Sequence, residues 1–86
     1  GPVIGVDYAL EYGTARMELR PETVTKGARV LVIDDVLATG GTAAASISLI
    51  EQAGASVEAI CMLLELSDLG GRGRLQGREV DSIVIF

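Results

Sequence analysis

Residues 30–42 read VLVIDDVLATGGT. An apolar run delivers two adjacent acids, Asp34 and Asp35, to one place, and a loop of small residues follows. The unbroken run over residues 29–35 predicts a strand buried on both faces, as in a parallel sheet. Beyond Gly40 and Gly41, residues 42–53 place Ala43, Ile47, Ile50 and Ala53 near helical spacing, with Gly54 as the stop signal. Residues 57–65 form a second apolar strand. Strand, loop, helix and strand make a βαβ unit, which implies a right-handed crossover and an α/β fold with a parallel sheet.

The flanks extend that unit. Residues 15–19 alternate apolar and polar, residues 3–10 are β-prone, and Gly13 sits between them. This predicts a hairpin of residues 3–10 with 15–20. Pro21 and Gly27 punctuate the next connection. Residues 68–76 are a Gly- and Arg-rich connection with room for a short helical turn, and residues 81–86 are a third apolar strand.

In an open parallel sheet, ligands sit beyond the carboxyl ends of the strands. Asp34, Asp35 and loop residues 38–42 lie at such an end, and the loop leads straight into a helix. The first turn of that helix has free N–H groups and about half a positive charge, worth roughly 0.3–2 kcal/mol to an anion. Gly40 and Gly41 let the backbone approach a ligand closely, and Thr39 and Thr42 add hydroxyls. The loop suits a phosphate monoester. Carboxylates would repel that same phosphate, so Asp34 and Asp35 suit the vicinal hydroxyls of a ribose or a hydrated Mg²⁺. Phosphate on one side and diol on the other describe ribose 5-phosphate. The stretch lacks the Gly-Lys-Ser/Thr of a Walker loop and the G-x-G-x-x-G of a dinucleotide fingerprint. The plainer alternative stays open: solvated turn aspartates followed by a flexible Gly-Gly bend.

Composition narrows the partners. The chain has 86 residues, room for one domain and a marginal core. A net charge of −5 argues against nucleic acid or an anionic membrane as partner. No apolar run approaches the ~18 residues of a membrane-spanning helix. With no histidine, His-based triads and the common zinc sites are excluded within this sequence. The single Cys61, inside an apolar run, reads as a small buried hydrophobe and points to a reducing compartment, the cytoplasm.

VLVIDDVLATGGT resembles the phosphoribosyl pyrophosphate signature of type I phosphoribosyltransferases, and Ala-Thr-Gly-Gly-Thr is most similar to the adenine phosphoribosyltransferases among them. Three further stretches agree with that family: Tyr8-Ala-Leu-Glu-Tyr-Gly13 with its catalytic loop, Leu64-Glu-Leu66 with Leu69-Gly-Gly-Arg72, and Asp81-Ser-Ile-Val-Ile-Phe86. The resemblance implies transfer of a phosphoribosyl group from phosphoribosyl pyrophosphate to adenine, giving AMP and pyrophosphate, with Mg²⁺ carried on the substrate. It implies that Ala38, Thr39, Gly40, Gly41 and Thr42 cradle the 5′-phosphate while Asp34 and Asp35 accept from the ribose hydroxyls. Glu11 matches the family's loop glutamate, an acid/base at the purine, and Tyr12 an aromatic that helps close the site. Leu66 matches a position against the purine face; its plain reading is a strand-end core leucine. Arg72 and Arg74 read as solvated surface arginines, with a subunit contact as the alternative.

The resemblance reaches only the C-terminal half of the family. Residues 1–86 are therefore expected to be part of a single domain: the catalytic-loop hairpin (1–20), the phosphoribosyl-binding βαβ unit (29–66) and a C-terminal turn and strand (67–86). The parallel sheet core would be incomplete, the chain inactive alone, and the complete enzyme a homodimer. The alternative function is a non-catalytic module that senses a nucleotide.

Overall fold

The structure, a computed structural model, describes residues 2–10 and 12–86. Strands β1 (Ile4–Leu10) and β2 (Gly13–Leu19) form the expected antiparallel hairpin, with Tyr8 opposite Ala15 and Asp7 opposite Arg16. The Arg16 guanidinium reaches Asp7 Oδ1 at 3.3 Å and Glu18 Oε2 at 3.0 Å. Only the Asp7 pair crosses between the strands, and both pairs are exposed, so the cross-strand tie is weak. A 3₁₀ turn, Pro21–Thr23, then leads to β3 (Arg29–Leu37).

Helix α1 (Gly41–Gln52) connects β3 to β4 (Ser56–Glu65), and two 3₁₀ turns, Ser67–Leu69 and Gly71–Leu75, connect β4 to β5 (Val80–Ile85). The three strands form a parallel sheet in the order β3-β4-β5. The strands and α1 begin and end within two residues of their expected limits; the turn Pro21–Thr23 is not among the expected elements, and the single turn expected over 68–76 is two.

α1 is packed on two sides. Ala43 and Ile47 join Leu37, Ile60, Met62 and Leu75 in the core against the sheet. Leu49 and Ile50 instead meet Met17 and Leu19 of the hairpin, where Ser46 Oγ, which donates to Thr42 O, lies 3.4 Å from Met17 Sδ. The alanines at 43–45 keep the helix slim enough to sit between both layers.

One expectation needs correction. The apolar strands are covered on a single face, and Leu31, Ile33, Leu63 and Ile83 on the other are 54%, 71%, 57% and 70% exposed. α1 and the hairpin both lie on the same side of the sheet, so a run that reads as buried on both faces here has one covering layer. Cys61, paired in register with Ile33 and between the buried Ile60 and Met62, points to that bare face and is only half-buried.

Candidate functional site

β3 does not stop at the aspartates; it continues to Leu37. Along its first part Val30, Val32 and Asp34 are the better-covered residues and Leu31, Ile33 and Asp35 the exposed ones. The phase then slips by one: Val36 is exposed and Leu37 is buried at 1%. The ladder keeps its register through this change, with Asp34 paired to Met62 and Val36 to Leu64. The N–H groups of Asp35 and Val36 each donate to the carboxylate one residue before, at 2.8 Å. Asp34 and Asp35 therefore leave opposite sides of the strand, each with one oxygen engaged by backbone.

Leu37 anchors the loop that follows. Gly40 takes a left-handed conformation, φ 86° and ψ −1°, and stands as the N-cap of α1 without any side-chain cap. The first helical bond runs from Ala44 N–H to Gly40 O at 2.9 Å, so the N–H groups of Gly41, Thr42 and Ala43 precede the helical ladder. Residues 36–43 line a cavity of about 60 Å³. One water needs roughly 10–15 Å³ by the same kind of measure, so the space suits one small oxyanion rather than a whole nucleotide. Thr39 and Thr42 are exposed beside it, Ala38 is half-buried, and Gly40 and Gly41 are buried. A larger open depression of about 440 Å³ runs along α1 from Ala44 to Gln52, walled also by Arg74, Leu75 and Arg78. It holds neither the aspartates nor the loop, and the bidentate ion pair of Arg78 with Glu51 at 2.8–2.9 Å accounts for its polar wall.

Two segments close around the loop. From the hairpin, Ala9 and Tyr8 pass over the helix start: a Cβ on Gly41 would lie 3.3 Å from Ala9 O and 3.8 Å from Tyr8 Cδ2. From behind, a Cβ on Gly40 would lie 2.6 Å from Gly71 O, and a Cβ on Gly71 would overlap Ala38 O. Leu66 is half-buried just past β4, and its N–H donates to Leu37 O at 2.9 Å, which brings it to the same end of the sheet. Tyr12, at the hairpin turn, is 94% exposed; Glu11 lies outside the described residues.

Sequence reasoning missed the polar centre beside this site. Glu65 is 5% exposed and accepts from Arg72 Nε at 3.1 Å, Arg72 Nη2 at 2.7 Å and Ser82 Oγ at 2.8 Å. Arg72 Nη1 also donates to Val80 O at 2.8 Å. Arg72 is thus no free surface arginine but the partner of a buried acid. The Arg72 guanidinium, helped by Ser82, holds the Glu65 carboxyl below its ordinary range against the opposing effect of burial. The available signal was an acid closing the otherwise apolar end of β4, where an unpaired charge is not tolerated. Arg74, also read as solvated, is exposed, with its Cβ 3.2 Å from the position a Cβ on Gly40 would take.

Residues 5–84 match the phosphoribosyl transferase domain family. The chain is 62% identical over 79 residues to the adenine phosphoribosyltransferase of Kineococcus radiotolerans, covering 92% of this chain and 43% of that protein. The crystal structure of adenine phosphoribosyltransferase from Thermoanaerobacter pseudethanolicus superposes with a TM-score of 0.93 at 43% identity, over 98% of this chain and 49% of that one. The Trypanosoma brucei adenine phosphoribosyl transferase, solved with AMP, pyrophosphate and ribose-5-phosphate, superposes with a TM-score of 0.83 at 28% identity, over 99% and 41%. The chain spans about half the length of the curated relatives it matches.

Proposed function

The chain belongs to the phosphoribosyl transferase domain family, and from that premise we propose that it carries the ribose-5-phosphate site of an adenine phosphoribosyltransferase in purine salvage. The reaction joins adenine to the phosphoribosyl group of phosphoribosyl pyrophosphate and yields AMP and pyrophosphate. The observation that carries this reading is the left-handed Gly40 capping α1 at the carboxyl end of β3, directly after Asp34 and Asp35.

In this reading the N–H groups of residues 41–43 and the hydroxyls of Thr39 and Thr42 bind the 5′-phosphate by charge-assisted hydrogen bonds. Each aspartate keeps an oxygen free of the backbone bonds described above. Those oxygens accept from the ribose hydroxyls, and their charge stabilises the cationic, oxocarbenium-like ribose as the bond to pyrophosphate breaks. Pyrophosphate departs with the bonding electron pair, an adenine nitrogen forms the new bond to the same carbon, and that nitrogen's proton passes to a base. Glu11 is the proposed base, Tyr12 closes over the site, and Leu66 packs on the purine.

Mg²⁺ brought with phosphoribosyl pyrophosphate would supply charge neutralisation for the pyrophosphate. Such an ion would be held mainly by phosphate oxygens and water. We place the complete enzyme in the cytoplasm as a homodimer.

The test is AMP formation. The chain alone, given adenine, phosphoribosyl pyrophosphate and Mg²⁺, is expected to give none, and a separately made polypeptide for the remaining half of a relative to restore it. In the restored enzyme Asp35→Asn and Gly41→Val should abolish turnover. Unchanged turnover in both variants would remove the loop and the aspartates from the site. Retained affinity for ribose 5-phosphate without turnover in the complete protein would instead identify a sensor.

A further inference from the structure

We propose that Gly71, held in place by the Arg72/Glu65 pair, is a positioning residue for the oxyanion loop; this rests on the ribose-5-phosphate reading of residues 38–42. No side chain among the described residues caps α1 at Gly40, so packing around the loop must hold Gly40 left-handed. The backbone of Gly71 is the wall behind it. An added Cβ there would overlap Ala38 O, lie 2.9 Å from Gly40 N and 3.0 Å from Leu37 Cδ1. Two of these three neighbours are loop backbone, which cannot swing aside as a long side chain can.

Gly71 needs its own anchor, since the turn carrying it is a short 3₁₀ segment. The adjacent Arg72 supplies one, with its guanidinium donating twice to Glu65 and once to Val80 O. Glu65 is the last residue of β4 and Val80 the first of β5, so the turn is tied to both strands it connects. Gly73, two residues on, has nothing within 4 Å of its own Cβ position. The constraint is thus specific to Gly71 within the turn.

The experiment titrates the 86-residue chain with ribose 5-phosphate and follows the backbone amides of Gly40, Gly41 and Thr42 by ¹H–¹⁵N NMR. Gly71→Ala, Arg72→Lys and Gly73→Ala are compared with the parent, with far-ultraviolet circular dichroism as the check on folding. The expected result is a loss of roughly 10–100-fold in affinity for Gly71→Ala, as for other small displacements of a positioned binding group. Arg72→Lys, which keeps the charge but not the fork, should weaken binding in the same direction, and Gly73→Ala should bind like the parent. Folded Gly71→Ala and Arg72→Lys variants that bind like the parent would overturn the inference and leave the loop reading standing. If Gly71→Ala does not fold, Arg72→Lys decides alone, and parent-like binding by it is again an overturning result. A parent chain whose loop amides do not respond to ribose 5-phosphate overturns the loop reading and this inference with it.

Discussion

Arg72 Nη2 lies 2.7 Å from Glu65 Oε1, and the two groups differ sharply in exposure: 46% of the arginine side chain is accessible against 7% of the glutamate's. The carboxylate has given up its water and depends on the guanidinium, whereas the guanidinium still has solvent. Removing each partner therefore has a different consequence. Arg72→Met leaves a buried charge with only Ser82 and should cost about 3 kcal/mol, the low end of the range for breaking a buried pair. Urea unfolding at neutral pH measures that loss.

The pH dependence follows from the sign of the shift. Glu65 is held below its ordinary value of 4.5 by Arg72 and then Ser82, and Glu51 is held below its own by Arg78. A carboxyl with a depressed folded-state pKa contributes stability that is fully present above the unfolded value and lost as pH falls through the folded one. The melting temperature should therefore be insensitive to these two acids from pH 7 to about 5 and should fall below about 4.5. In Arg72→Met the acid limb should flatten, because burial then favours the neutral Glu65. An equally steep limb in that variant would assign the acid sensitivity elsewhere.

Ile60, 0% exposed, and Ile83, 70% exposed, lie on adjacent strands and face opposite ways. Ile60→Ala should cost about 2–5 kcal/mol by transfer and cavity terms together. Ile83→Ala should stay within roughly 0.5 kcal/mol, as surface substitutions do. Paired denaturant midpoints with a common slope check both.

The bare sheet face carries Leu31, Ile33, Leu63 and Ile83, all more than half exposed. An apolar patch of that kind promotes association. Light scattering on the chain should show a mass that rises with concentration. The double substitution Ile33→Lys and Ile83→Lys should restore the monomer mass without altering the circular dichroism. A parent chain that stays monomeric at all concentrations would contradict this.

Gly40 combines φ of 86° with a Cβ position 2.6 Å from Gly71 O. Gly40→Ala should cost about 1–3 kcal/mol from left-handed strain alone, and the crowding adds to it. Thermal unfolding of the variant beside Gly73→Ala, which meets nothing, separates this site effect from a general intolerance of the loops to alanine.

The βαβ order, the hairpin, the helix start after Gly40 and the placement of two acids beside a small-residue loop were all legible in the sequence. Each rests on forces that act within a few residues: the period of apolar side chains, the φ freedom of glycine, the free N–H groups of a first helical turn. The expectation for residues 34–42 draws on the same kind of local signal, since that stretch is contiguous. The tertiary structure decided the rest. It carried β3 past the aspartates to Leu37, with the burial phase changing only after Asp35. It left one face of the sheet bare, although both strand faces are apolar, because α1 and the hairpin share a side. It buried Glu65 against Arg72 and set Gly71 behind Gly40. Those outcomes depend on which surfaces meet once the strands are stacked, and residues that are ordinary in their own neighbourhoods acquire their constraints only from partners that packing brings to them.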